Sequence, residues 1–429
     1  MKTLLKNGRV IDPKNQLDEI LDVLIENGKI AEVAKNISAD DADVIDVTGK
    51  IVTPGLIDMH VHLREPGQEA KEDFVSGTQA AAAGGYTTVA TMPNTKPVVD
   101  NAALVRSLQE RAKDVGVVHV EVIGALSKGQ QGEELAEVGD MSEAGAVAFS
   151  DDGHYVQSAK LLLNAYDYLK PFGKIIINHD EETTLVEDGV MNEGHKSALL
   201  GMKGRPTVAE DIAVTRDIML AEYAEAKVHV AHISSARSVE IVRQAKSRGV
   251  QVTAEVTPQH LTMTENCVDF TDSSTKINPP LRTQKDVEAV LAGLKDGTID
   301  MIVTDHSPHA EEEKDREYIY APSGFPGLET ALGVLLTDLY HTGKVELPML
   351  VEKMTYAPAK IFGLHAGSLG VDMPADITII DTEKAWVVDA EQFYTKGTHS
   401  PFVGRELRGK AVMTIVDGRI VMRDGKIID

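Results

Sequence analysis

Leu56-Ile57-Asp58-Met59-His60-Val61-His62-Leu63-Arg64 is an apolar run that opens behind Pro54-Gly55 and ends in two histidines and an arginine. A short apolar stretch bounded by turn residues reads as a strand buried on both faces. Along a strand, residues i and i+2 point to one side, so the two imidazoles are expected to face one space. Seven further runs share this character, at 87–92, 117–123, 146–150, 174–178, 227–233, 251–256 and 300–304. Helical periodicity follows most of them, as at 73–83, 102–113, 208–226 and 284–294. Strands alternating with helices imply a parallel sheet covered on both faces. Eight such units predict an α/β protein built on a (β/α)8 TIM-like barrel. A doubly wound open sheet is the competing arrangement.

The two ends of the chain differ from this middle and resemble each other. Apolar runs flank Glu26-Asn27-Gly28 near the start, and Asp417-Gly418 and Asp424-Gly425 near the end. Asn-Gly and Asp-Gly supply the positive φ angles of tight hairpins. Neither end has enough β material to stand alone. One small β-sandwich domain is therefore expected from residues 1–54 plus 366–429, with the barrel, 55–365, inserted between them.

Composition narrows the function. The 429 residues are 42% hydrophobic and 26% charged, as in globular proteins, and their net charge is −24. So acidic a chain repels nucleic-acid phosphates and anionic lipids, and its 4% aromatic content is low for a base-stacking surface. Neither nucleic acid nor membrane is an expected partner. The start lacks the apolar stretch of a signal peptide and no run is long enough to span a bilayer, so the expected location is cytoplasmic. Cys267 is the one cysteine, which excludes an intramolecular disulfide or a thiolate-rich metal site. It is expected to act as an inert small hydrophobe. The charge run 311–317 is expected to be a solvated loop or helix start.

Barrel chemistry sits at the C-terminal strand ends. There the sequence places His60 and His62, Asn94, Asp151-Asp152, His179, His232 and Asp305. Nitrogen and oxygen ligands without sulfur suit Zn²⁺, with Mn²⁺, Co²⁺ or Fe²⁺ as alternatives. Six ligands are too many for one tetrahedral ion. Two metals fit, one on His60, His62 and Asp305 and one on His179 and His232, bridged by an aspartate of the Asp151-Asp152 pair. The other histidines, among them His229, His260 and His306, are expected to be surface or packing residues.

These features resemble the cyclic amidohydrolases, and the finer motifs resemble dihydroorotases of the long bacterial type. Those motifs are His60-Val61-His62-Leu63-Arg64-Glu65-Pro66-Gly67, Met92-Pro93-Asn94-Thr95, Ala148-Phe149-Ser150-Asp151-Asp152-Gly153, the stretch from Ile302 to His309, and Gly324-Phe325-Pro326-Gly327-Leu328-Glu329-Thr330. The resemblance implies zinc-dependent, reversible cyclisation of N-carbamoyl-L-aspartate to L-dihydroorotate in pyrimidine (UMP) biosynthesis. It implies a binuclear centre of two Zn²⁺ per subunit bridged by Asp152, where hydantoinases and allantoinases place a lysine that is absent from residues 146–153. It further implies Asp305 as the proton-transfer residue. His62, Arg64, Asn94, Asn278, His309, Ser323 and Gly324 would bind substrate. Ser323 stands where many relatives carry an aromatic residue, so only backbone contacts carry over there. A homodimer and association with aspartate transcarbamoylase are family expectations. The rivals are an enzyme acting on hydantoin or allantoin and a catalytically dead scaffolding subunit.

Overall fold

The computed structural model describes residues 2–428. Eight barrel strands run β1 (Leu56–Val61), β2 (Tyr86–Thr91), β3 (His119–Gly124), β4 (Ala148–Ser150), β5 (Ile176–Asn178), β6 (Val228–Val230), β7 (Val252–Val256) and β8 (Met301–Ile302). One strand forms in each of the eight expected runs. All neighbours pair in parallel and in chain order. The ring is drawn together just past β8, where His62 N donates to His306 O at 2.8 Å and Val61 bridges His306 in parallel. Asp58 reinforces this seam, because its carboxylate accepts from Thr304 N at 3.0 Å and from His60 N at 3.0 Å.

Apolar side chains fill the barrel. Ile57 and Met59 of β1 cluster with Ala90, Ile123, Ala148, Ile177 and Met301, and Ala359 of the helix Tyr356–Phe362 joins them. Plain alternation would turn His60 away from the side that Met59 faces. An irregularity resolves the conflict: Asp58 pairs with Val89 and Val61 with Thr91, so β1 advances three residues while β2 advances two. An extra residue of this kind re-aims the side chains beyond it.

Strands from both termini form one nine-stranded sheet. The halves join where Ile51–Pro54 pairs antiparallel with Ile377–Val387. Leu5, Val23, Ile25 and Val52 from the first part and Ile377, Ile379 and Ile415 from the last share one core. The helix Phe74–Gly84 lies against this sheet, and Thr414 Oγ1 donates to Ala82 O at 2.8 Å. Alanines at 80–83, all buried, keep the helix thin enough for that approach.

The expected hairpins form, with φ of 51° and 79° at Asn27-Gly28 and 47° and 74° at Asp417-Gly418. The two turns abut. A Cβ on Gly418 would lie 2.9 Å from Gly28 Cα, and Ala375 binds both through Gly28 O and Gly418 N.

Two expectations change. Cys267 is exposed rather than packed. The charge run starts a short helix, Glu311–Lys314, but Lys314 points inward and is only 2% exposed. Among the described residues, no helix is long and apolar enough to cross a membrane.

The turn contact gives a graded test. Gly425 has the same left-handed backbone, yet a Cβ there would meet nothing within 4 Å. Gly425→Ala should cost about 1 kcal/mol from backbone strain alone. Gly418→Ala should cost about 2 kcal/mol or more in urea unfolding, since strain and collision add. Equal losses would mean that the two turns do not constrain each other.

Candidate active site

A cavity of about 220 Å³ opens at the C-terminal strand ends. It is lined by His62, Arg64, Asn94, Asp152, Gly153, His179, His232, Asn278, Asp305, Ser307, His309, Ser323 and Gly324. Of the candidate ligands and substrate-binding residues singled out in the sequence, His60 and the alternative bridge Asp151 are missing from that lining; His60 lies deeper and is fully buried. Larger clefts of about 390 and 460 Å³ exist elsewhere. The first opens at the opposite barrel end, beside Lys227, Gln251 and Asp300, which precede β6, β7 and β8. That face of a barrel serves stability rather than chemistry.

Asp152 is the hub. Its Oδ1 lies 3.4 Å from His60 Nε2, 3.5 Å from His179 Nδ1 and 3.6 Å from His232 Nε2. Its Oδ2 lies 3.5 Å from His62 Nε2. Asp305 Oδ1 approaches His62 Nε2 at 3.2 Å and His60 Nε2 at 3.7 Å. Two overlapping groups are compact enough to hold an ion: His60, His62 and Asp305, and His60, Asp152 and His232. His179 Nδ1 lies 2.9 Å from His232 Nε2. Buried donors and acceptors normally find partners. His60 Nε2 and Asp152 Oδ1 have none, although both are buried among other polar atoms. Orphaned nitrogen and oxygen atoms converging on one point fit metal ions. Asp151, by contrast, turns away and accepts from Leu126 N, Ser127 N and Ser127 Oγ.

Three of the four rings, His60, His62 and His179, are oriented from behind. Glu255 Oε1 meets His60 Nδ1 at 2.5 Å, and its Oε2 meets His229 Nε2 at 3.0 Å. Burial alone would raise the Glu255 pKa. The facing His60 and His229 instead hold it well below the usual carboxylate range. Asn94 Oδ1 holds His62 Nδ1 at 2.9 Å, leaving Nε2 toward Asp305. The Asn278 amide lies 3.0 Å from His179 Nε2, and Ser307 Oγ donates to Asp305 Oδ1 at 2.8 Å.

Arg64 is buried, not a surface ion-pair residue. Its Nε donates to Pro308 O at 3.2 Å, and among the described residues no carboxylate lies within ion-pairing distance. Burial lowers its pKa to about 10, so it remains a cation. Burial and the charge of Arg64 push His309 down to about 2, so its imidazole is neutral. Its Nε2 donates to Ser323 O at 2.8 Å.

Sequence reasoning missed Asp58, Glu72, His229, Glu255 and His306. Glu72 is buried and accepts from Ser76 Oγ, from Thr395 Oγ1 and, at 3.1 Å, from His306 Nε2. His306 Nδ1 in turn accepts from Gly327 N at 3.2 Å. The available signal was a carboxylate inside an otherwise apolar run, as at Asp58 and Glu255.

A barrel with a convergent histidine–aspartate cluster at its C-terminal mouth and a sheet drawn from both termini defines the amidohydrolase class. Residues 49–238 match a "Dihydro-orotase-like" family model, and residues 323–422 match an "Amidohydrolase family" model. A relative from Geotalea daltonii named dihydroorotase is 51% identical, covering 98% of this chain and 99% of its own. A dihydroorotase from Pelotomaculum thermopropionicum is 52% identical, covering 99% of each chain. The solved L-hydantoinase of Arthrobacter aurescens superposes with a TM-score of 0.91 at 28% identity, covering 100% of this chain and 97% of its own. The chain belongs to the dihydroorotase family, and is therefore a cyclic amidohydrolase enzyme.

Groups that orient metal-binding histidines typically contribute 10- to 100-fold in metal affinity. Glu255→Gln is expected to weaken metal retention by about that factor, measured by competition with a chromophoric chelator. Unchanged retention would remove Glu255 from any role in presenting His60.

Proposed function

We propose that this enzyme interconverts N-carbamoyl-L-aspartate and L-dihydroorotate, with residues 55–365 carrying the site and 1–54 plus 366–429 forming the accompanying β domain. The observation that carries this reading is one cavity holding both a histidine–aspartate cluster and a buried, unpaired Arg64. A buried cation without a carboxylate calls for an anionic ligand. The free carboxylate of the substrate supplies that anion.

The ligand set suits two Zn²⁺, one on His60, His62 and Asp305 and the other on His179 and His232, with Asp152 between them. When bound, the metals supply Lewis acidity to the reacting carbonyl and bring hydroxide within reach of neutral pH. The chain's own groups do the rest. Arg64 offers its guanidinium fork to the substrate carboxylate. The Asn94 amide nitrogen faces the pocket because its oxygen is held by His62. His309 stands beside Arg64, and Asn278 with the backbone at Ser323 and Gly324 borders the ring. In hydrolysis Asp305 takes the proton of the attacking water and passes it to the leaving ring nitrogen. In synthesis it removes a proton from the carbamoyl nitrogen and delivers it to the departing hydroxide, which leaves as water. Ser307 fixes the Asp305 carboxylate for this exchange. Zinc as the metal, a homodimer, a cytoplasmic location and association with aspartate transcarbamoylase are part of the same proposal, supported by the resemblance.

An ultraviolet assay with dihydroorotate and hydantoin as alternative substrates tests the reading directly. Dihydroorotate turnover is expected, lost on exhaustive chelation and restored by Zn²⁺. Preference for hydantoin, or full activity in metal-free protein, would refute it. Asp305→Asn should keep most of the metal while losing about 10²- to 10⁴-fold in kcat, the span of general acid–base catalysis. Near-wild-type turnover would take Asp305 out of proton transfer.

A further inference from the structure

Lys314 carries an amino group buried behind the site loop, outside the cavity lining, and burial lowers its pKa to about 7. Among the described residues it pairs with no carboxylate. Its Nζ donates instead to Pro322 O at 3.1 Å and Gly324 O at 2.9 Å, the carbonyls either side of Ser323. Two further backbone groups of this turn are also committed. Ser323 O accepts from His309 Nε2 at 2.8 Å, and Gly324 N donates to Lys276 O at 2.8 Å. Lys314 itself is held through its own carbonyl by Ser273 Oγ at 2.5 Å.

One backbone donor is left over: Ser323 N–H makes no hydrogen bond among the described residues. A trans peptide is planar, with its C=O and N–H pointing in opposite directions. Lys314 pulls Pro322 O outward, and so turns Ser323 N–H the other way. Ser323 lines the cavity beside His309 and Arg64. We propose that Lys314 is a positioning residue for substrate: it fixes the Pro322–Gly324 turn so that Ser323 N–H is presented to the anionic substrate. The turn has little slack, because a Cβ on Gly324 would lie 2.6 Å from Ser307 Cβ. The geometry also explains the burial of a lysine in an otherwise acidic, solvent-facing run. The long lysine stem lets one nitrogen reach both carbonyls from behind.

This inference rests on the proposed reaction, so the unaltered zinc-loaded enzyme is assayed first with dihydroorotate; no turnover would sink that reading whatever Lys314 does. Given turnover, Lys314→Met should retain metal and raise KM for dihydroorotate about 10- to 100-fold, the worth of one hydrogen bond to a charged group, with kcat within about threefold. Ser323→Pro, which deletes the N–H, should raise KM similarly. The double variant should be no worse than Ser323→Pro alone, because both changes remove one interaction. An unchanged KM in Lys314→Met, or effects that multiply in the double variant, would overturn the proposal. If Lys314→Met does not fold, Lys314→Gln keeps an N–H donor group on a shorter stem and should show an intermediate rise in KM; a wild-type KM there would equally overturn it.

Discussion

Everything at the site depends on closing the barrel between its first and last strands. β1 carries His60 and His62, and the segment after β8 carries Asp305. They face each other only because Asp58 ties Thr304, and His62 N ties His306 O, across that seam. Such a contact joins residues separated by more than half the chain, so the six intervening strands must pair in order before it can form. Asp58 is held without a cation. Burial lifts its pKa to about 7, but the amides of Thr304 and His60 occupy its oxygens. Polar atoms inside an apolar barrel thus find partners within the backbone itself.

Closure also sustains local strain. Arg64, His232 and Asp305 adopt φ of 62°, 29° and 52°, a region that side-chain-bearing residues seldom visit. Such conformations cost about 1–3 kcal/mol each and persist where the surroundings over-determine them. All three sit just beyond a barrel strand. The strained backbone turns each side chain off its strand axis and into the cavity. The net charge of −24 has little bearing there. Arg64 is a cation held away from the acidic surface, in the same cavity as Asp152 and Asp305.

The strands and hairpins were legible because their signals are local: apolar runs, Asn-Gly and Asp-Gly turns. The metal-ligand candidates were legible for a related reason, since a parallel barrel converts "end of strand" into "same place". What escaped was the support. Glu255 reaches His60 across 195 residues of sequence, so its place in an apolar run can flag it as unusual but cannot name its partner. His229 and His306 read as packing histidines, yet each joins a buried carboxylate that serves the site. Lys314 was hidden by its neighbours: three glutamates precede it, and the run reads as solvated until tertiary contacts turn one residue inward. The irregularity in β1 was invisible as well, because alternation alone does not reveal where an extra residue is inserted.

The sheet from the two termini reaches the chemistry through a few polar contacts. Between Ile377–Val387 and Glu406–Val416 the chain makes an excursion in which Thr395 binds Glu72 and Lys396 binds Asp73. Gly397 passes so close to Pro308 that a Cβ would lie 2.9 Å from its side chain. Pro308 O is the acceptor that holds Arg64, and Glu72 is the carboxylate that holds His306. Glu329 adds a further anchor, since its carboxylate accepts from Tyr394 N and Thr395 N. Buried polar junctions are costly unless every partner is present. The excursion therefore fixes the Arg64 loop and the segment after β8 relative to each other. The terminal strands thereby act as an outer brace on the seam that brings His60, His62 and Asp305 together.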